Sequence, residues 1–448
     1  MPGAMQGCAF QTGIVLPAAV LEGLMRNLNK EEKSIMNADI FLQEAKKLEA
    51  EIIRNRRYLH MHPETGFDTK GTAAYVTQAL TAMGYQPQPC GQSGIIALAG
   101  GRKAGKVFLL RADMDALPLS EDTDLEFASQ NEGKMHACGH DMHTAMLLGA
   151  AKLLKSHEDE INGTVKLMFQ SAEEIFEGSY DMIQSGVLKN PDTDAALMIH
   201  VAAGMPMPAG TAVVSDGGVS APGCDIFTIR IKGKGCHGSM PNTGIDPVNA
   251  AAHIITALQE IHARELSIMD EAVLTIGSIH GGSAPNIIPD ALDLSGTIRT
   301  YDEDVRTFIK SRMKEIAEGI AASFRAEAEV SFGSGCPCLK NDPALSVSTL
   351  KYTKELLGPN AFSIGQLNDL SGIRKAPKTA GSEDFSYISQ EVPSIMVALA
   401  AGNPEDGYRH PQHNPKVVFD EAALATGSAV YAYTALRWLE ENKKPEHI

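Results

Sequence analysis

Cys138 and His140 stand two residues apart across Gly139, in the run His136-Ala-Cys138-Gly-His140-Asp141-Met-His143. A tight turn at the glycine aims both at one cation, and thiolate, imidazole and carboxylate suit zinc, manganese or cobalt. The same run also reads as a buried thiol with a histidine capping the following helix, or as a Cys138 nucleophile with His140 as base. The carboxylates nearby favour a metal. Glu173-Glu174 come directly after a predicted buried strand, where an unpaired carboxylate is costly. One of them can ligate a metal while its neighbour holds the attacking water, which supplies what metal-assisted hydrolysis requires. His200 closes the apolar run Ala-Ala-Leu-Met-Ile, and His413 lies in the loop His410-Pro-Gln-His413-Asn-Pro. Each is ordinary alone. Together these groups have the chemistry for two adjacent divalent ions.

A second set lies further along. Gly233-Lys-Gly-Cys236-His237-Gly-Ser-Met-Pro241 is a glycine-rich turn presenting one histidine, Gly281-Gly-Ser-Ala-Pro-Asn286 presents an amide, and Arg299 ends a strand. Turn chemistry or a salt bridge accounts for each. The functional reading is an oxyanion donor with a clamp for a carboxylate, since arginine pairs carboxylates bidentately.

The elements that must hold these groups follow from periodicity. Ala38 to about His60 is helical, and Asp141–Leu154 reads as another helix. Val107–Leu110, Thr164–Phe169, Ala195–Ile199 and Ser394–Ala401 are near-continuous apolar runs separated by helical stretches. That pattern predicts an α/β fold with a mostly parallel sheet covered by helices on both faces. Sites in such sheets form at the carboxyl ends of the strands, where these polar clusters fall. From about Gly223 to Gly335 the order is β-α-β-β-α-β, a ferredoxin-like α+β unit inserted into the larger domain. The expected division is an N-terminal extension over 1–35, a first catalytic part over 36–222, the inserted unit over 223–335 and a second catalytic part over 336–448.

The 448 residues fit two or three domains, and 44% apolar with 21% charged residues is a globular composition. The formal net charge of −16 argues against nucleic acid or an anionic membrane as the main partner. No window offers the ~20 uninterrupted apolar residues of a spanning helix. Ile14–Leu21 is short, is broken by Pro17 and has no basic residue before it, so it is not read as a signal peptide. Seven cysteines, an odd and low number, argue against a disulfide framework and for a reducing cytoplasm. No internal repeat is visible.

Arg111-Ala-Asp-Met-Asp-Ala-Leu-Pro118, the His136–His143 run, Glu173-Glu174, Gly381-Ser-Glu-Asp-Phe-Ser386 and His413-Asn-Pro415 occur in that order. This set resembles the dimetal amidohydrolase/aminoacylase metallopeptidase family over roughly residues 40 to 440, most of all the branch of hippurate hydrolase, N-acyl-amino-acid hydrolases and auxin-conjugate hydrolases. The resemblance implies two divalent metal ions per subunit, Mn²⁺, Zn²⁺ or Co²⁺, bridged by Cys138 and completed by His140, Glu174, His200 and His413. It implies that Glu173 is the general base, that His237 stabilises the oxyanion, often in a partner subunit's site, and that Asn286 and Arg299 hold the substrate's α-carboxylate. The inserted unit would be a lid and the contact of a homodimer. The expected activity is hydrolysis of small N-acyl amino acids to a carboxylic acid and a free amino acid. A dipeptidase or carboxypeptidase with the same metals is the alternative, and a metal-binding protein with a dead site is a third reading that the intact Glu173 disfavours. Asp113 and Asp115 stand where wider relatives have His-x-Asp, which leaves their role open, and the Gly381–Phe385 segment has no assigned role beyond lining the pocket.

Overall fold

The computed structural model describes residues 37–371 and 380–443. The extension over 1–35, with Ile14–Leu21, lies outside the described residues. The strands, in chain order, are β1 (Gln88–Cys90), β2 (Gly94–Gly100), β3 (Lys106–Asp113), β4 (Gly163–Gln170), β5 (Ala195–Ala202), β6 (Ala212–Val214), β7 (Gly223–Lys232), β8 (Ala272–Gly281), β9 (Ala291–Thr300), β10 (Glu327–Cys336), β11 (Ala361–Ser363) and β12 (Ser394–Ala400). Two short ribbons, Cys236–His237 with Ile287–Ile288 and Gly218–Ala221 with Leu339–Asn341, complete the described β structure. The longer helices are α1 (Ala38–Met61), α2 (Lys70–Ala82), α3 (His140–Ser156), α4 (Pro247–Glu260), α5 (Glu303–Ser323), α6 (Pro343–Leu357) and α7 (Ala423–Glu441).

The larger sheet has eight strands in the order β1-β2-β4-β3-β5-β12-β6-β11. Its centre, β4-β3-β5-β12, is parallel throughout, as the apolar runs predict. The flanks depart from that expectation: β1 with β2, β2 with β4, and β12 with β6 are antiparallel. Parallel neighbours need a crossover of a dozen or more residues, usually helical. Helix α3 provides one between β3 and β4, whereas β1 turns straight into β2. The run expected to stop at His200 continues to Ala202, because β12 keeps pairing with it, Ala398 opposite His200 and Ala400 opposite Ala202.

Both faces of the central strands β3, β4 and β5 are buried. Phe108 and Leu110 of β3 join the core formed with α1, α3 and α7, while Leu109 packs on the other face with Met168, Met198 and Phe385. Helices α3 and α7 approach closely at two glycines. A Cβ on Gly149 would lie 2.4 Å from the Ser428 hydroxyl, and one on Gly427 would lie 2.0 Å from the Met146 sulfur. Asn37 caps α1 by accepting the Asp39 N–H at 3.0 Å.

The second sheet, in the order β8-β9-β7-β10, is antiparallel at every pairing. Along the chain it runs β7-α4-β8-β9-α5-β10. Phe227, Ile229 and Ile231 of β7 are buried with Ile254, Leu258, Ile309 and Met313 of α4 and α5, while Ile226 and Arg230 face outward. Asp246 caps α4 ahead of Pro247, as its sequence predicts. The pattern after Pro247 reads as a helix to about Arg264, but the hydrogen bonding changes at Ile261, where a π turn runs to Glu265. Among the described residues no helix is long and apolar enough to cross a membrane, and the described cysteines are free thiols.

Asp225 anchors α5 to β7, accepting from Arg306 Nη2 at 2.8 Å and Lys310 Nζ at 2.7 Å. Burial alone raises a carboxyl pKa, but these two cations outweigh it and hold Asp225 below the ordinary range. A carboxyl depressed in the folded state contributes stability that is present above its unfolded value, about pH 4, and lost as pH falls through the folded value. Asp225→Asn is therefore expected to destabilise the protein by about 2–3 kcal/mol at neutral pH and to flatten the loss of stability below pH 4, measured by denaturant unfolding at several pH values.

Candidate active site and metal centre

Cys138 and His140 meet at the start of α3, and Gly139 makes the turn between them. Its φ of +92° is a left-handed conformation, and a Cβ there would lie 2.4 Å from Val201 Cγ2. His140 donates its Nδ1–H to the Asp115 carbonyl at 2.8 Å, which leaves Nε2 buried and without a hydrogen-bond partner among the described residues. That atom is 3.8 Å from Glu174 Oε1, which is also buried and unpartnered. His200 donates its Nδ1–H to the Val201 carbonyl at 2.7 Å and turns Nε2 to the Cys138 sulfur at 3.6 Å. His413, on the loop after β12, places Nε2 3.6 Å from Glu174 Oε2.

These contacts form two donor triangles with one shared corner, Cys138–His140–His200 and Cys138–Glu174–His413, and within each the donor atoms lie within 4.8 Å of one another. Two ligands about 2.0–2.3 Å from a tetrahedral ion stand roughly 3.5 Å apart. The spacing, the soft and nitrogen-rich donor set, and two orphaned buried atoms facing one another fit a divalent metal at each triangle. A ring nitrogen held by a carbonyl, with the other left bare, is the usual arrangement around a metal.

The electrostatics match. Burial pushes the Glu174 carboxyl up to about 7, helped by Asp115 and Asp113 and opposed by His140. Burial pushes the Cys138 thiol well above its ordinary range and holds His200 down at about 4. Cation binding must displace protons from Cys138 and Glu174, whereas His200 is already neutral. Glu173 sits beside the triangles, 3.9 Å from His140 Nε2. Burial, Glu383 and Glu174 raise its carboxyl well above the ordinary value, the direction required of a proton carrier at neutral pH.

The surrounding residues explain the placement. Asp115 accepts the backbone N–H of Glu173 at 3.0 Å and of Glu174 at 3.2 Å, while its own carbonyl holds His140. Asp113 accepts from His143 Nδ1 at 2.5 Å and Arg111 Nη1 at 2.6 Å. Arg111, fully buried, also donates from Nε to Gln170 at 2.8 Å and from Nη2 to Asp384 at 2.7 Å, and pairs with Glu383 at 2.9 Å. The segment 381–385 is thus the carboxylate counterpart of Arg111, close against Glu173. The sequence carried a signal for this: an arginine and an aspartate inside an otherwise apolar strand must find partners.

The second set of expected residues is not part of these triangles. His237 bonds to the Ser239 N–H at 3.1 Å and hydroxyl at 2.8 Å, within its own turn. Asn286 receives the Gly238 N–H on its carbonyl at 2.8 Å, so the histidine and amide turns adjoin. Among the described residues no hydrogen bond or ion pair links either to the triangles. Arg299 is nearer: its Nη1 donates to Ser382 Oγ at 2.8 Å and the Ala380 carbonyl at 3.2 Å, one residue from Glu383.

Residues 109–437 match the sequence profile of Peptidase family M20/M25/M40. The chain belongs to that family. It is 37% identical over 398 residues to N-acetyl-L-cysteine deacetylase of Bacillus subtilis, covering 89% of this chain and 90% of that protein. It is 36% identical over 395 residues to IAA-amino acid hydrolase ILR1-like 2 of Arabidopsis thaliana (87% and 85% covered). It is 35% identical over 400 residues to thermostable carboxypeptidase 1 of Saccharolobus solfataricus (88% and 97% covered). A crystal structure from methicillin resistant Staphylococcus aureus superposes with a TM-score of 0.81 at 32% identity, covering 90% of this chain and all of that one. The Bacillus subtilis YXEP protein, a dinuclear metal binding peptidase of the M20 family, superposes with a TM-score of 0.71 at 33% identity, covering 88% and 99%. This M20 protein is accordingly a hydrolase of amide bonds with an α/β fold, and its donor groups and the dinuclear neighbour support two divalent metals.

Gly139→Ala places a side chain at positive φ against Val201. It is expected to cost about 2–4 kcal/mol and to reduce retained metal, read by thermal unfolding and by elemental analysis of the purified variant.

Proposed function

We propose that this M20 hydrolase cleaves the amide bond of N-acyl amino acids, releasing a carboxylic acid and the free amino acid. The observation that carries the reading is the pair of donor triangles sharing Cys138, with Glu173 at their edge. Cys138, His140, His200, Glu174 and His413 would hold two divalent ions, zinc or manganese, with Cys138 common to both donor groups. Bound there, the ions supply Lewis acidity to the scissile carbonyl and to water. Glu173 takes a proton from the attacking water and passes it to the departing amine nitrogen, so that one water is consumed per amide bond broken.

The second sheet, over 223–335, acts as a lid and as the contact of a homodimer. His237 donates to the oxyanion from the partner subunit, a role that its separation from the triangles of its own chain supports. Asn286 and Arg299 hold the α-carboxylate, which Arg299's position beside the 381–385 segment supports. Lid closure excludes water and completes the site. The deacetylase and auxin-conjugate relatives support an N-acyl amino acid as substrate, and the free thiols support a cytoplasmic setting. The carboxypeptidase relative favours a second reading, with peptides as substrates.

Hydrolysis of N-acetyl and N-benzoyl amino acids beside dipeptides, by metal-free and metal-reloaded protein, tests the function. N-acyl amino acids are expected to be preferred, with turnover lost on chelation and restored by Mn²⁺ or Zn²⁺; preference for dipeptides overturns the substrate assignment. Glu173→Gln is expected to keep its metal and lose about 100- to 10,000-fold in kcat. Mixing inactive Glu173→Ala and His237→Ala proteins is expected to restore activity in mixed dimers; no recovery places His237 in its own chain's site.

A further inference from the structure

Gln412 precedes His413 and has no part in the chemistry proposed above. Its Nε2 donates to the Val201 carbonyl at 2.8 Å. The same oxygen accepts the His200 Nδ1–H at 2.7 Å, and a carbonyl with two lone pairs can serve both. The other side of the Val201 peptide is also held: its N–H donates to His143 Nε2 at 2.8 Å, and His143 is fixed by Asp113 at 2.5 Å. His200 belongs to one donor triangle and the Gln412–His413 loop carries a corner of the other. The Val201 carbonyl therefore connects the two triangles independently of Cys138.

The His413 loop needs such a tie. His413 has a φ of +63°, a left-handed conformation that non-glycine residues adopt reluctantly. Its side chain is half exposed, so packing holds it weakly. Its own N–H donates to the Ala137 carbonyl at 3.0 Å, just before Cys138, and the Gln412 amide is the side-chain tie beside it. We infer that Gln412 is a positioning residue that couples the two metal subsites, holding His413 over Glu174 while fixing the carbonyl that orients His200. The inference rests on the dimetal reading and adds a residue to it.

The test uses full-length protein, stripped of metal and titrated with Zn²⁺ against a chromophoric chelator, with Co²⁺ substitution to follow the thiolate-to-metal absorption of Cys138. Gln412→Glu keeps the shape but turns an acceptor toward the carbonyl, and Gln412→Ala removes the group. Both are expected to weaken both zinc constants by about 10- to 100-fold, to leave the unfolding temperature of the metal-free protein unchanged, and to keep the Co²⁺–thiolate band; a change confined to one constant overturns the coupling. Excess Zn²⁺ is expected to restore turnover. Two zinc constants unchanged in both variants overturn the inference alone. A fall in both constants together with a lower unfolding temperature of the metal-free protein also overturns it, in favour of a general structural role. A wild-type protein that binds a single zinc overturns the dimetal reading and this inference with it.

Discussion

The Cys138 sulfur is the one donor common to both triangles, and that sharing constrains the rest of the centre. Two dications a few ångströms apart repel strongly unless an anion lies between them. In the proposed centre a Cys138 thiolate would supply that anion, with Glu174 and His413 on one side and His140 and His200 on the other forming the separate donor sets. Burying these groups is unfavourable without cations, as the orphaned Nε2 of His140 and Oε1 of Glu174 show. The fold must hold them in place against that cost.

It does so through the parallel centre of the larger sheet. Strands β3, β4 and β5 run in one direction, so Asp113–Asp115, Glu173-Glu174 and His200 emerge at one edge, and the glycine turn before α3 brings Cys138 and His140 to meet them. Backbone carbonyls then decide which imidazole nitrogen is free: Asp115 for His140 and Val201 for His200. Arg111 offsets part of the acidic charge behind Glu173, taking Asp113, Glu383 and Asp384 on one buried guanidinium. A buried arginine with several carboxylate partners is expensive to break, because losing one partner leaves a charge uncompensated.

Much of this was legible from local pattern. Apolar runs located β3, β4, β5 and β12, because strands buried on both faces have no polar alternation to dilute them. Asp246-Pro247 marked the start of α4, and Cys138-Gly-His140 marked a turn, since these are signals over two and three residues. What escaped was long-range. The antiparallel flanks depend on which partner a short strand such as β6 reaches, not on its own three residues. The extent of β5 past His200 is set by pairing with β12, nearly two hundred positions later. The joining of Arg111 to Glu383 and Asp384 spans about 270 positions, and the tie from Gln412 to Val201 spans 211. His237 and Asn286 were recognisable as turn residues with usable chemistry, but a single chain leaves them outside the triangles.

The most direct measurement is anomalous diffraction from crystals of metal-loaded protein, collected on both sides of the metal's absorption edge. The expected result is two peaks about 3.5 Å apart, one on each side of the Cys138 sulfur, with His140 and His200 around one and Glu174 and His413 around the other. A single peak, or two peaks with Cys138 bound to neither, would contradict it.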